Sequence, residues 1–411
     1  MSMTARRWIL RGLLGLVVAG VVAAIVWRDD LERWRRVWAY AAHFEPEHID
    51  ENFRSFHLRY PARTVERGGP VLPLAEQAAP LPQTCVFQGE TRRVDDWIER
   101  SQTTGMVVLH DGKLVYESYR RGNDARTTPI LMSVSKSVVS FLFGVAVEQG
   151  KIASLEQPVD AYVPALAGSG YAGVRIKDVL QMSSGIRFNE DYGDLDSDIA
   201  HLAMAFVNGS VNEFVRQLQR QRPPGTFNHY VSADTQVIGM VLEAATGESL
   251  ADLTQKHLWS KLGVESDAHW LVDQAGDEFA LGGFNATPRD MARFGQLYAD
   301  GGVNLAGERL VSESWVRASA TPDAPHLMPG RDNPLHDWPM GYGYQWWIPE
   351  NQPADGRGDF SAIGIYGQFV YVNPSERVVI AKTSAYEDYN ETGDEMEFEA
   401  MEVFRAIARG L

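Results

Sequence analysis

Along the chain the apolar positions change period several times, and each change marks an element. Trp8 to Trp27 is apolar throughout except at Arg11 and the small residues between. Twenty helical residues span roughly 30 Å, the thickness of a hydrocarbon core, so this run predicts a membrane-spanning helix. Arg6 and Arg7 precede it, and Asp29 and Asp30 follow. That bias places residues 1–7 in the cytoplasm and the body of the chain outside. A cleaved signal peptide would want a small-x-small site just after the run. Ala39-Tyr40-Ala41 fits the pattern but lies about a dozen residues too far downstream. A buried soluble helix is disfavoured, since an N-terminal helix apolar all round is usually a span. The expectation is an uncleaved single-pass anchor, residues 8–27, in the inner membrane with the body on the periplasmic side.

Residues 28–85 read as a connecting arm. Leu31 to Ala42 can continue as a helix, and residues 61–82, rich in Pro, Gly and Ala, read as extended loop. Regular structure begins near Val94, within a body of residues 86–411. Val94–Ser101 has helical spacing, and TGMVVLHDGKLVYESY alternates about Asp111-Gly112, a two-residue hairpin signal. Helices are expected from about Ser133 to Gly150, over Val174–Ser183 and over Ala233–Thr246, the last closed by Gly247. Thr287-Pro288-Arg289-Asp290 supplies an N-cap, a first-turn proline and an acid for a helix to Tyr298. Gly343–Ile348, Phe360–Val372 and Arg377–Ser384 are strand-like, with a turn at Asn373-Pro374-Ser375-Glu376, and Glu395–Ala408 is a terminal helix. Strands at both ends with helices between predict an α/β (α+β) fold. Its antiparallel sheet is assembled from both ends of the chain, with flanking helices and a helical lobe. Sheet and lobe leave a cleft between them, where active sites form.

Charge narrows the partners. Of 411 residues, 38 are basic and 54 acidic, a net charge of -16. Binding to nucleic acid needs a basic patch, so that class is disfavoured. The single cysteine, Cys85, cannot form an intrachain disulfide and reads as a small buried residue.

The sharpest chemical signal is Ser133-Val134-Ser135-Lys136 at the start of a predicted helix. A hydroxyl is a poor nucleophile until a base removes its proton. At i and i+3 the two side chains share a helix face. The flanks, ILMSVSK and SVVSFLFGVAV, are apolar, and a lysine buried there loses pKa and can act as base. A second signal is Tyr230-x-Ser232, after the turn Pro223-Pro224-Gly225 and before a helix. A phenol beside the lysine can relay protons. The bland alternative is a packed tyrosine with its hydroxyl capped. The third is Ser361-Ala362-Ile363-Gly364-Ile365-Tyr366-Gly367-Gln368. Glycine in a strand often marks close approach by a ligand, and an amide here can pair with that of Ser133 around an oxyanion.

In this order the three segments resemble the β-lactamase and penicillin-binding superfamily, with its Ser-x-x-Lys, Tyr-x-Asn and Lys-Thr-Gly motifs. Within it, DVLQMSSGIRFNEDYGD, PPGTFNHYVSADTQVIGMVLEAATG and SAIGIYGQFVYVNP look like class C-like hydrolases of the 6-aminohexanoate-dimer hydrolase group. The likeness covers roughly residues 90–405. It implies a β-lactamase/transpeptidase-like fold, Ser133 as nucleophile, Lys136 as base and Tyr230 as proton relay. Oxyanion amides would come from Ser133 and Ile365, and substrate contacts from Tyr192, Ser232, Gly364 and Tyr366. No metal or cofactor is required. One departure is informative: Ile363-Gly364-Ile365 has no lysine where penicillin-recognising enzymes hold a substrate carboxylate. That favours small amide or ester substrates. The rivals are a β-lactamase or D-alanyl-D-alanine carboxypeptidase, and a catalytically silent membrane-tethered sensor.

Other candidates read blandly. Lys382-Thr383-Ser384 lacks the glycine of the third motif. Asp191, Asp194, Asp196 and Asp198 lack the spacing of a calcium loop. His229 reads as a hydrogen-bonding residue of the cleft, and Trp338, Trp346 and Trp347 as wall or core. There is no Gly-x-Ser-x-Gly elbow.

Overall fold

The computed structural model describes residues 28–352 and 358–411. The expected anchor at 8–27 lies outside the described residues, and no helix among those described is long and apolar enough to cross a membrane. The elements that position the site are, in chain order, α1 (Arg28–Ala41), α2 (Ile49–Arg54), α3 (Val94–Arg100), β1 (Thr103–His110), β2 (Lys113–Tyr119), α4 (Val134–Glu148), α5 (Asp198–Asn208), α6 (Ser232–Thr246), α7 (Pro288–Ala299), β3 (Gly341–Tyr342), β4 (Trp347–Ile348), β5 (Phe360–Gly364), β6 (Gln368–Asn373), β7 (Val378–Ser384) and α8 (Tyr389–Gly410).

The seven strands form one antiparallel sheet in the order β2-β1-β7-β6-β5-β4-β3, so the first hairpin pairs with the last strand of the chain. The β1–β2 turn follows from two residues: Asp111 and Gly112 both have positive φ, at 52° and 71°, as a tight hairpin requires. Strand alternation buries both faces. Val107, Leu109, Val370, Val372 and Val379 join the larger core with α7, while Met106, Val108, Phe369, Tyr371 and Ile380 join α3 and α8 on the other side. Helix α7 begins as its sequence dictates, with the Thr287 side chain accepting from the Asp290 amide and Pro288 in the first turn. Gly295 lets it lie against the sheet, because a Cβ there would meet a Val379 methyl at 2.5 Å.

Four expectations are corrected. Gly343–Ile348 is not one strand: Gln345 sits at φ 63° and divides β3 from β4, its side chain bonded to Thr235 and the Leu180 carbonyl. The helix expected over Val174–Ser183 shrinks to Ile176–Leu180, and the terminal helix starts earlier than Glu395, at Tyr389. Residues 28–85 do more than connect. Ile49, Phe53 and Phe56 are at most 2% exposed and belong to the main core, and Ala62–Val65 pairs as a strand with Ala268–Leu271.

Candidate active site

Helix α4 is buried from Val134 to Ala146, and Ser133 is its N-cap. A serine at that position usually accepts from an amide of the first turn. Here it makes no such bond, and its hydroxyl lies 2.7 Å from Lys136 Nζ. Met132, just before it, is held at φ 48°, a left-handed conformation unfavourable for a residue with a Cβ. Lys136 is 1% exposed and donates to the Leu281 carbonyl oxygen at 2.6 Å. Burial pushes its pKa down to about 7, against a smaller upward pull from the Glu190 carboxylate. A neutral amine able to accept a proton is then accessible near neutral pH.

Tyr230 completes the group. Its ring stacks on Trp347 at 5.2 Å and takes the Lys136 ammonium over its face at 5.2 Å. Burial raises the phenol well above its ordinary value, with Glu190 adding to the rise and hydrogen bonding to Ser133 and Ser232 opposing it. The phenol therefore keeps its proton where Lys136 loses one. Such a divergence separates an acid from a base.

The end of β5 closes the site. A Cβ on Gly364 would stand 3.0 Å from the Ser133 amide nitrogen, so only glycine lets the strand approach the helix start this closely. Among the described residues neither the Ser133 nor the Ile365 amide has a backbone hydrogen-bond partner. Ile365 lines the same cavity as Ser133.

That cavity measures about 410 Å³. Its walls include Tyr192, Tyr230, Trp338, Trp347 and Tyr389; Glu190, Asp191, Asp337 and Asp394 also line it, with Glu397 buried behind Tyr389 and kept protonated by that burial, and no lysine or arginine is among the lining residues. His229 bridges the Phe188 carbonyl, at 2.8 Å, and Asp337. Burial works against its charged form, but Asp337 outweighs that and raises its pKa. Trp346 is fully buried core rather than wall. Asp191, Asp194 and Asp198 accept from nearby loop amides, which accounts for the acidic run locally. No group of three or more metal-ligating side chains is assembled among the described residues.

Sequence reasoning missed Glu190. It accepts from the Ser232 amide at 3.0 Å, from the Ser232 hydroxyl and from Tyr192 OH at 2.7 Å, tying the 190–193 loop to the start of α6. Its only signal was its place beside Tyr192 in Glu190-Asp191-Tyr192. Two expected substrate contacts are placed elsewhere. Ser232 is 1% exposed and occupied by Glu190, and Tyr366 points away from the cavity into the N-terminal arm. The reason is the turn: β5 ends at Gly364, and the left-handed backbone of Tyr366, at φ 62°, carries its ring onto Phe44 and Phe53 instead. Lys382 is buried behind this turn, bonded to Ser384, and does not line the cavity.

A buried lysine against a free serine at a helix start, with a protonated phenol beside them, defines a serine acyl hydrolase of the penicillin-recognising fold. The beta-lactamase family profile matches residues 92–403, and the chain belongs to that family. It is 34% identical over 337 residues to 6-aminohexanoate-dimer hydrolase from Paenarthrobacter ureafaciens, covering 80% of this chain and 83% of the relative. A solved Bacillus anthracis structure assigned to the 6-aminohexanoate-dimer hydrolases superposes with a TM-score of 0.77 at 22% identity, over 88% of this chain and 95% of that one. A penicillin-binding protein from Bacillus halodurans shares the fold at a TM-score of 0.57 and 16% identity, over 75% of this chain and 99% of that one. The protein is a serine hydrolase.

Proposed function

We propose that the enzyme cleaves carboxylic amides or esters of small, uncharged or cationic substrates, in the manner of an oligomer amidase, through an acyl-enzyme on Ser133. The observation that carries this is the 2.7 Å contact between Ser133 Oγ and a buried Lys136. Neutral Lys136 takes the hydroxyl proton as Oγ attacks the carbonyl carbon. The Ser133 and Ile365 amides receive the oxyanion. Tyr230 delivers a proton to the leaving nitrogen or oxygen, and water then reverses the sequence to release the acid. The acidic lining repels anions at long range, and no lysine or arginine lines the cavity to receive a substrate carboxylate. Both features disfavour penicillins. Relatedness to a 6-aminohexanoate-dimer hydrolase supports the amide reading.

A fluorophosphonate probe tests the nucleophile. Wild type is expected to label and Ser133→Ala to stay unlabelled; equal labelling of the two would sink the Ser133 mechanism. A panel of short amides, esters and a labelled penicillin then separates the readings. Stable acylation by the penicillin alone would favour a β-lactamase or carboxypeptidase.

We further propose that residues 8–27 tether the enzyme to the inner membrane with this body on the periplasmic face. Helix α1 supports the reading: Leu31, Trp34 and Trp38 are 60%, 62% and 70% exposed on one face, and Trp is favoured at membrane interfaces. Protease added to intact spheroplasts should digest the body. Protection until lysis would reverse the orientation.

A further inference from the structure

The turn that carries the Ile365 amide is built partly from the other end of the chain. Ile365, Tyr366 and Gly367 link β5 to β6, and Tyr366 sits at φ 62°, a conformation unfavourable for a residue with a Cβ. Its ring is held on three sides. Phe44 stacks on it at 5.4 Å, Phe53 meets it edge-on at 5.2 Å, and Tyr389 leans against it at 5.2 Å. Phe44 and Phe53 belong to the segment before the catalytic domain, where they also pack on Phe56.

Phe53 makes a second contact of consequence. Its carbonyl oxygen accepts from the Ile130 amide at 3.0 Å, on the stretch that runs directly into Ser133. On its other side that stretch is fixed by the Leu131 amide donating to the Phe284 carbonyl at 2.9 Å. The arm is itself secured to the sheet end. Arg121 pairs with Asp50 at 2.8 Å, and Arg54 donates to the Arg121 carbonyl at 3.1 Å.

We propose that residues 43–56 are a positioning element of the active site: Phe44 and Phe53 clamp Tyr366 and thereby hold the Ile365 amide, while the Phe53 backbone steadies the approach to Ser133. The inference rests on the reading of Ser133 and Ile365 as oxyanion donors. Phe44 and Phe53 touch no substrate; they act through Tyr366. The segment that follows the proposed tether is thus part of the machinery that orients catalysis, and a chain begun after it would carry a loosened oxyanion turn.

The test uses the full chain, with fluorophosphonate labelling and steady-state hydrolysis of a short activated ester. Phe44→Ala removes one jaw at a half-buried position. Tyr366→Gly removes the ring while leaving the left-handed backbone freely accessible, so it guards against a Phe44→Ala protein that does not fold. Both are expected to lose about 10- to 100-fold in kcat with KM within about twofold, because a donor displaced by a fraction of an ångström loses most of its effect. Phe44→Tyr, which keeps the stacked ring, is expected to restore the rate. Wild-type kcat in folded Phe44→Ala and Tyr366→Gly would overturn the inference. A wild type that neither labels nor turns over would instead overturn the serine-hydrolase mechanism, so the two failures stay distinct.

Discussion

Gly364 and Ser133 meet backbone to backbone: a Cβ on Gly364 would stand 3.0 Å from the Ser133 amide nitrogen and 2.7 Å from the Leu131 carbonyl oxygen. Neither neighbour is a flexible side chain, so Gly364→Ala must push β5 off the start of α4. Overpacking of this kind costs about 1–3 kcal/mol. The larger effect falls on catalysis, since the displaced strand carries the Ile365 amide. A loss of about 100-fold in kcat/KM is expected, as for removal of an oxyanion donor. Ester hydrolysis and thermal melting on the same preparation check it. A variant of wild-type rate would mean that the close approach serves packing alone.

The Lys136 pKa of about 7 sets a pH dependence. Only the neutral amine accepts the Ser133 proton, so kcat/KM should rise with pH and level off above a midpoint near pH 7. The same shift has a stability consequence. Between about 7 and its ordinary value of 10.5, the folded protein holds fewer protons at this site than the unfolded chain. The contribution of Lys136 to stability therefore rises with pH across that window, and below it the penalty is fully present. Lys136→Met is expected to melt higher than wild type at pH 6, with turnover down about 100- to 10,000-fold. A rate flat between pH 5 and 9 would contradict this assignment of the base.

Glu190 should tune that midpoint. Its carboxylate favours the protonated form of Lys136, so Glu190→Gln is expected to move the rising limb of the pH–rate profile to lower pH. The same change turns one of the two acceptor oxygens into an amide nitrogen, so either the Ser232 amide or the Ser232 and Tyr192 hydroxyls lose their acceptor. An unpaired buried donor costs about 1–3 kcal/mol, so the 190–193 loop should loosen and KM should rise. A limb that stays in place would show that the charge is screened from the lysine.

What the sequence discloses and what it hides divide along physical lines. The Ser133–Lys136 contact is an i, i+3 relation, and the Asp111-Gly112 hairpin and the Thr287 cap are equally local. Each is decided by a few adjacent residues, and each is found in the structure. Glu190 is different. Besides Tyr192, its donors are on Ser232 at the start of α6, which the chain reaches some forty residues later. Ile49, Phe53 and Phe56 fit one helix face, yet residues 28–85 read as a connecting arm, because the ring that Phe53 meets, Tyr366, lies at the far end of the sequence. Tyr366 itself lies in the turn after β5 at φ 62°, where strand alternation no longer tells which way a ring faces. The break at Gln345 depends on tertiary bonds to Thr235 and Leu180, which override local strand propensity.

A last consequence concerns the arm strand rather than the cleft. Arg63, on the strand Ala62–Val65, pairs with the buried Glu278 at 2.6 Å, and the Glu243 carboxyl lies beside the same carboxylate. Burial, and then the neighbouring Glu278 carboxylate, raise the Glu243 pKa well above the ordinary carboxylate range, so Glu243 keeps a proton that the unfolded chain releases at 4.5. For an acid shifted upward, the stabilisation is complete below the unfolded value and is lost as pH rises through the folded one. Like charges in one buried site then repel, and the arm strand loses the geometry of its anchor. Glu243→Gln keeps a donor toward Glu278 with no proton to lose. It should match wild type near pH 5 and exceed it in melting temperature near pH 9, with a flatter stability profile between. Because Arg63 sits beside this pair, proteolysis within residues 56–70 should quicken with alkalinity in wild type and not in the variant. Parallel pH profiles for the two proteins would show that the carboxyl pair does not govern how firmly the arm is held.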